Sequence, residues 1–289
     1  MLLLLLLCLL GLSASAENLI RIALPDQATY KLAFTFDDNA VPANLKAFRK
    51  VQASGTLQVA KTEGGHKLTI VFNQHYEAVE GMAAGSDLRG TSLTYLLTSD
   101  GKVTGVEGAD EFLVRANADL QRQSDSAAAQ ARYKQLVYLR HNCDWLATAL
   151  AGRPLERDLT WEQTVPAGGH PLALRPLPAK LQVLGPVKCG LGNCIEVEGT
   201  YQDNVTEEKS ALLQEVNTAW DVGRFRMQVH PQTGLVAKMS RYITSTVDAK
   251  KGPGGGAAKK RSIVTELTLT DETLPVPKPV RPAIIGASQ

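Results

Sequence analysis

Two runs rich in Thr, Tyr, Leu and Val meet at a tight turn, and this pattern occurs twice. Residues 93–97 and 103–106 flank Asp100-Gly101. Gly accepts the positive φ that a two-residue hairpin turn needs, so the dipeptide is a strong hairpin signal. Residues 225–229 and 235–239 repeat the plan with a longer turn, in which Pro231 fixes φ and Gly234 closes the loop. A chain built this way is mainly β (α+β), and the two units predict two β-meanders with a helical stretch between them.

The flanking sequence agrees. Over residues 29–37, Tyr30, Leu32, Phe34 and Phe36 alternate with Thr29, Lys31, Ala33 and Thr35, the mark of a half-buried strand. Residues 51–60 and 66–79 continue the pattern across Glu63-Gly64-Gly65, with Leu68, Ile70, Phe72 and Gln74 on one face and His75 and Glu77 on the other. The first half therefore predicts about five strands, a usual sheet size.

Between the meanders the pattern changes. Residues 127–151 lack Gly and Pro, and Leu136, Leu139, Cys143, Leu146 and Leu150 recur at intervals of three and four. That is one apolar stripe on a helix. Gly152 and Pro154 supply a stop signal, so a helical insert is expected over about 110–151, with its stripe against the sheet. Cys143 within the stripe reads first as a buried, inert thiol, and second as a partner for Cys189 or Cys194.

The second half returns to strands at 161–165, 171–174, 180–188, 194–201, 225–229, 235–248 and 262–270. Pro166, Pro171, Pro176 and Pro178 place its start at a sheet edge or in irregular chain. Residues 206–220 read either as a short amphipathic helix or as a twisted strand. Residues 273–289 carry Pro275, Pro277, Pro279 and Pro282 and are expected to be an extended tail.

Residues 2–12 are almost pure leucine, broken by Cys8 and Gly11, and Ala14-Ser15-Ala16 follows. This predicts a signal peptide over 1–16, cut after Ala16, leaving one β-rich domain over 17–272. The run is short of the ~20 apolar residues that span a bilayer. No Lys or Arg precedes it, and Cys8 lies inside the apolar run rather than at a lipidation boundary. A periplasmic or secreted protein, soluble after cleavage, is expected. Export permits disulfides, and Cys189 and Cys194 flank a Gly-rich turn where they can pair across a hairpin. A metal at those two sulfurs is the weaker reading, because no second ligand pair lies at the required spacing.

Lys and Arg number 31 against 29 Asp and Glu, a net charge of +2 that argues against nucleic-acid binding. Aromatic residues are 6 % of the chain, too few for a stacking platform. None of the five His (His66, His75, His141, His170 and His230) stands at a recognised metal spacing, and no nucleophile elbow or His-Glu-x-x-His motif occurs. No enzyme, metal or cofactor is expected. Residues 252–261 have the glycine content of a phosphate loop, but a strand rather than a helix follows. They read as a solvated hairpin tip flanked by Lys250, Lys251, Lys259, Lys260 and Arg261, with an anionic envelope surface as the alternative, a candidate partner for these charges. Asn204-Val205-Thr206 matches a glycosylation sequon by pattern alone.

The stretch Met227-Gln228-Val229-His230-Pro231-Gln232-Thr233-Gly234-Leu235-Val236 is similar to the strand–Asp-Pro-x-Thr-Gly–strand hairpin of periplasmic half-barrel proteins of the LolA, LolB and LppX type, with His230 in the Asp place. The plan of export signal, meander, helical insert and second meander resembles theirs over most of the mature chain. The resemblance implies a curved antiparallel sheet or half-barrel, with the helical segment packed on its concave face and an apolar cavity between them. The expected function is then a non-enzymatic exported envelope protein that binds a lipid or other apolar ligand between sheet and helix, with Leu136, Leu139, Leu146 and Leu150 as cavity candidates. The alternative is a structural or protein-interaction module of the periplasm with a filled core and no ligand.

Overall fold

The computed structural model describes residues 19–20, 22–38, 50–74, 91–109, 114, 139–148, 150, 152–153, 156–166, 176–206, 217–249 and 259–274. Eleven strands occur among them: β1 (Gln27–Asp38), β2 (Lys50–Thr62), β3 (Gly65–Gln74), β4 (Ser92–Thr98), β5 (Val103–Glu107), β6 (Thr160–Val165), β7 (Leu177–Cys189), β8 (Gly192–Thr206), β9 (Asn217–Val229), β10 (Val236–Ala249) and β11 (Lys259–Thr270). They form an open antiparallel sheet in the order β5-β4-β3-β2-β1-β11-β10-β9-β8-β7-β6. Every pairing joins strands adjacent in sequence except one. β1 pairs with β11, from Lys31 opposite Thr270 to Asp38 opposite Ile263. The far edges of the sheet are therefore β5 and β6, the two strands that flank the helical insert in sequence.

The period-two pattern puts one face of this sheet inside. Leu32, Phe34 and Phe36 of β1, Leu68, Ile70 and Phe72 of β3, Phe225, Met227 and Val229 of β9, and Ile263, Leu267 and Leu269 of β11 all join one core. Their neighbours Lys31, Arg224, Arg226 and Glu266 are exposed on the other face, the division usual for an antiparallel sheet solvated on one side. Gly101 (φ 80) and Gly234 (φ 70) occupy the left-handed region at the two turns, as their hairpin signals require.

On this face two glycines let two rings lie flat. Gly199 of β8 stands opposite Phe225 of β9, and Tyr201 opposite Gly223. A Cβ on Gly199 would lie 2.1 Å from the Phe225 ring, and one on Gly223 would lie 2.0 Å from that of Tyr201. Phe225 in turn carries Trp145 of the helical segment, with ring centroids 4.8 Å apart.

The helical segment differs from its expected form. The α-helical winding of residues 139–142 tightens into a 3-10 turn, Cys143–Ala147, and Thr148 is extended, so the helix stops short of residue 151. The tighter winding buries Cys143, Trp145, Leu146 and Ala147 together, whereas an α-helix would turn part of that run toward solvent. The remainder of the expected insert lies outside the described residues. The ambiguous stretch 206–220 is strand at both described ends, with Thr206 of β8 paired to Thr218 of β9. Residues 207–216 lie outside the described residues, as do 171–174, His75, Glu77, the leader 1–16 and the tail beyond 274. Pro178 lies in β7 opposite Thr164 of edge strand β6, before the ladder with β8 begins at Lys180. Its lack of an N–H is tolerated there.

The β9–β10 turn uses His230 as an acceptor. The Thr233 N–H donates to His230 Nδ1 at 3.3 Å, and the Thr233 hydroxyl lies 3.1 Å from the same nitrogen. The Leu235 N–H donates to Thr233 Oγ1 at 3.3 Å. An imidazole nitrogen that accepts an N–H is unprotonated, and burial pushes the His230 pKa down. The folded value then lies below the unfolded value of ~6.5. The stabilisation is complete above the unfolded value and is lost as pH falls through the folded one. Melting followed by circular dichroism from pH ~7.5 to ~5 should show a falling midpoint, and His230→Asp, which supplies a carboxylate acceptor, should flatten that fall. An equally steep fall in His230→Asp would show that this turn does not carry the effect.

Candidate functional site

Residues 139–150 divide their side chains between two environments. Leu139, Cys143, Trp145, Leu146 and Leu150 are buried in the sheet's core. Arg140, Asp144 and Thr148, spaced by four, line a cavity of about 520 Å³ together with His141 and Ala147. The wall on one side comes from Tyr95 of β4 and from Val103 and Val106 of β5. Across from it stand Gln163, Thr164 and Val165 of β6, then Pro166 and Pro176. Both far edges of the eleven-stranded sheet thus border one cavity, which requires the sheet to curl until its ends approach across the helical turn.

The cavity's polar groups meet at Asp144. Its Oδ1 accepts from the Tyr95 hydroxyl at 2.8 Å and from Arg140 Nη1 at 2.7 Å. His141 Nδ1 lies 3.7 Å from Oδ2. Burial first, then the neighbouring Cys143 and Asp144, hold the Tyr95 pKa well above the ordinary phenol value, against an opposing pull from Arg140. Tyr95 is thereby kept as a hydroxyl donor. Burial, reinforced by Asp144, likewise pushes the Cys143 thiol up, well out of the thiolate range. Among the described residues no group of three or more His, Cys, Asp or Glu stands together in a way that could hold a metal ion.

A second polar group fixes the turn to the sheet. Arg241 of β10 is 1 % exposed. Its Nη2 donates to Asn142 Oδ1 at 2.7 Å, and its guanidinium carbon lies 5.8 Å from the Trp145 ring centroid. The indole thus contacts both Arg241 and Phe225, a cation–π contact with the first and an aromatic contact with the second.

Of the residues singled out by sequence, Leu139, Leu146 and Leu150 come together in the core, and Leu136 lies outside the described residues. Cys189 and Cys194 form a disulfide across the β7–β8 hairpin, with Cα atoms 5.9 Å apart, and Cys143 is a free, buried thiol. Lys259, Lys260 and Arg261 open β11, paired with Val247, Thr246 and Ser245 of β10. Lys250 and Lys251 lie outside the described residues. Tyr95, Arg140, Asp144 and Arg241 belong to the site without carrying a sequence motif. Two signals were present: Arg140 and Asp144 stand four apart on the stretch read as helix, and Arg241 interrupts the apolar alternation between Met239 and Ile243.

No helix among the described residues is long and apolar enough to cross a membrane. No family model matches the chain, and no curated protein matches it. Among solved structures, one described as "Lipid-protein interactions in lipovitellin" aligns over 86 % of this chain and 25 % of its own, at 11 % identity and a TM-score of 0.42. This chain spans about a quarter of that protein, and at such a score neither fold nor ligand carries across. Neither the family models nor the curated proteins give a match of the LolA, LolB or LppX type.

The packing of the stripe has a direct consequence. Leu139 is 0 % and Leu146 is 2 % exposed, and the gap beside Leu146, toward Ile22, Leu68 and Leu97, is about 10 Å³. Truncation to alanine removes the transfer energy and opens a new void, so Leu139→Ala and Leu146→Ala should each lower unfolding stability by ~2–5 kcal/mol in urea denaturation. A loss under ~1 kcal/mol would mean that the turn does not pack on the sheet.

Proposed function

We propose that this chain is an exported, non-enzymatic envelope protein that takes a lipid or other apolar ligand between the far edges of its sheet and the helical turn. The observation that carries the reading is the cavity bounded by β5, β6 and residues 140–148. Its volume, about 520 Å³, falls within the ~300–1,000 Å³ usual for small-ligand sites. Val103, Val106, Ala147, Val165, Pro166 and Pro176 give its wall an apolar part, and Tyr95, Arg140 and Asp144 form a polar cluster beside it, a combination usual for such sites. The two perturbed groups nearby, Tyr95 and Cys143, are both pushed away from their ionised, reactive forms, which favours binding over catalysis. The leucine-rich leader and the Cys189–Cys194 bridge support export to an oxidising compartment.

The filled packing around Leu139, Trp145 and Leu146 favours a second reading, a structural or protein-interaction module of the envelope without a ligand. The two are separated by filling the cavity. Val106 is half-buried on edge strand β5 and lines the cavity wall. Nile red, a neutral apolar dye, should bind the parent protein, and Val106→Trp should weaken that binding at least about tenfold with little change in melting midpoint. Binding unchanged in Val106→Trp would move the ligand elsewhere, and no binding in the parent would leave the structural module.

A further inference from the structure

We infer that the ligand of this cavity is a single-chain amphiphile with an anionic head, its head on Arg140 and its tail against the wall of Val103, Val106, Val165 and Pro166. This rests on the cavity-binding reading above and adds the chemistry of the head and the number of chains. A carboxylate offers about four acceptor positions and a guanidinium five donors. Asp144 Oδ1 is taken by both Tyr95 and Arg140, and His141 stands beside Oδ2. Tyr95 spends its one proton on Asp144 and is held in the protonated form by its burial. Among the described residues Asp144 is the partner of Arg140, which uses Nη1 for it. The group therefore has donors in excess of acceptors, and the excess lies on Arg140.

That balance selects the sign of the head. Asp144 Oδ1 is already shared, so an ammonium head would be left with Oδ2, beside His141 and under repulsion from the Arg140 guanidinium. A carboxylate or phosphate meets the rest of the planar guanidinium fork, whose geometry it matches. The Arg140 side chain is 13 % exposed and valines stand around the same cavity, so the contact forms where water competes little and charge-assisted hydrogen bonds are strong. Asp144 and Tyr95 act as positioning residues: the i, i+4 contact holds the guanidinium on the cavity wall, and Tyr95 on β4 holds Asp144. A volume in the lower half of the small-ligand range suits one acyl chain rather than the two of a membrane phospholipid.

The test uses cis-parinaric acid and its methyl ester, fluorescent chains of equal length that differ in the charge of the head. The acid should bind the full-length secreted protein at least about tenfold more tightly than the ester, since hydrogen bonds to a charged partner are worth that much. In Arg140→Met the preference should fall to near unity, and Arg140→Lys should restore part of it. Inorganic phosphate at millimolar concentration should not displace the acid. Equal binding of acid and ester by the parent protein would overturn the anionic head while leaving the apolar cavity standing. Binding of neither would overturn the cavity reading as well. Displacement by phosphate would mark a free-anion site and exclude the amphiphile. Because the acid–ester comparison is made on the parent protein, the inference stays open to refutation even if the Arg140 variants fold poorly.

Discussion

The pairing of β1 with β11 joins the first strand of the sheet to its last. Lys31 stands opposite Thr270 and Asp38 opposite Ile263, so closing this ladder encloses nearly the whole described chain. Loop-closure entropy grows slowly with length, and the continuous apolar face that the ladder completes offsets it. Had β1 and β11 been left as edges, the sheet would expose two long strands with unpaired N–H and C=O groups, a template for aggregation. Their pairing transfers the edges to β5 and β6, of five and six residues. The short edges then fall beside the helical turn, and the cavity lies between them.

Polar and aromatic contacts join the hydrophobic ones in fixing residues 139–147 on the sheet. Trp145 contacts both Phe225 and Arg241, and Asn142 accepts from Arg241. Gly199 provides the hollow for the Phe225 ring. A buried arginine carries a large desolvation cost and contributes little net stability, but removing one partner of such a group is severe. Its value here lies in register: a slip of one residue along the turn would take Asn142 from Arg241 and Trp145 from Phe225 together. The same register brings Arg140 and Asp144 to the cavity wall.

Strands and turns were legible because their signals are local. Asp100-Gly101 and Pro231 to Gly234 announce hairpins by themselves, alternation assigns faces, and Cys189 and Cys194 pair across six residues of chain. The stripe of Leu139, Leu146 and Leu150 was legible as an apolar face, and the structure packs it into the core. What the sequence did not disclose was non-local. No property of residues 31–38 names residues 263–270 as their partners, and so the edges of the sheet, and the cavity between them, could not be read from the chain. Tyr95 looked like one more inward aromatic on a strand, and its hydrogen bond to Asp144 spans a gap that no periodicity encodes. The switch from α to 3-10 winding at Cys143 likewise follows from burial of four residues of five, a tertiary demand.

The cavity exists only if the two far edges of the sheet approach each other across the helical turn. Thr104 on β5 and Glu162 on β6 are exposed and stand next to the cavity-lining residues Val103 and Gln163. Spin labels at these two positions give the separation directly by pulsed electron resonance. Eleven strands laid flat would put the edges ten spacings of ~4.8 Å apart, roughly 48 Å. The curled sheet should give a single narrow distribution below roughly 25 Å, about half the flat-sheet distance. A distribution centred near the flat value would mean that no cavity lies between the edges and that the site does not form.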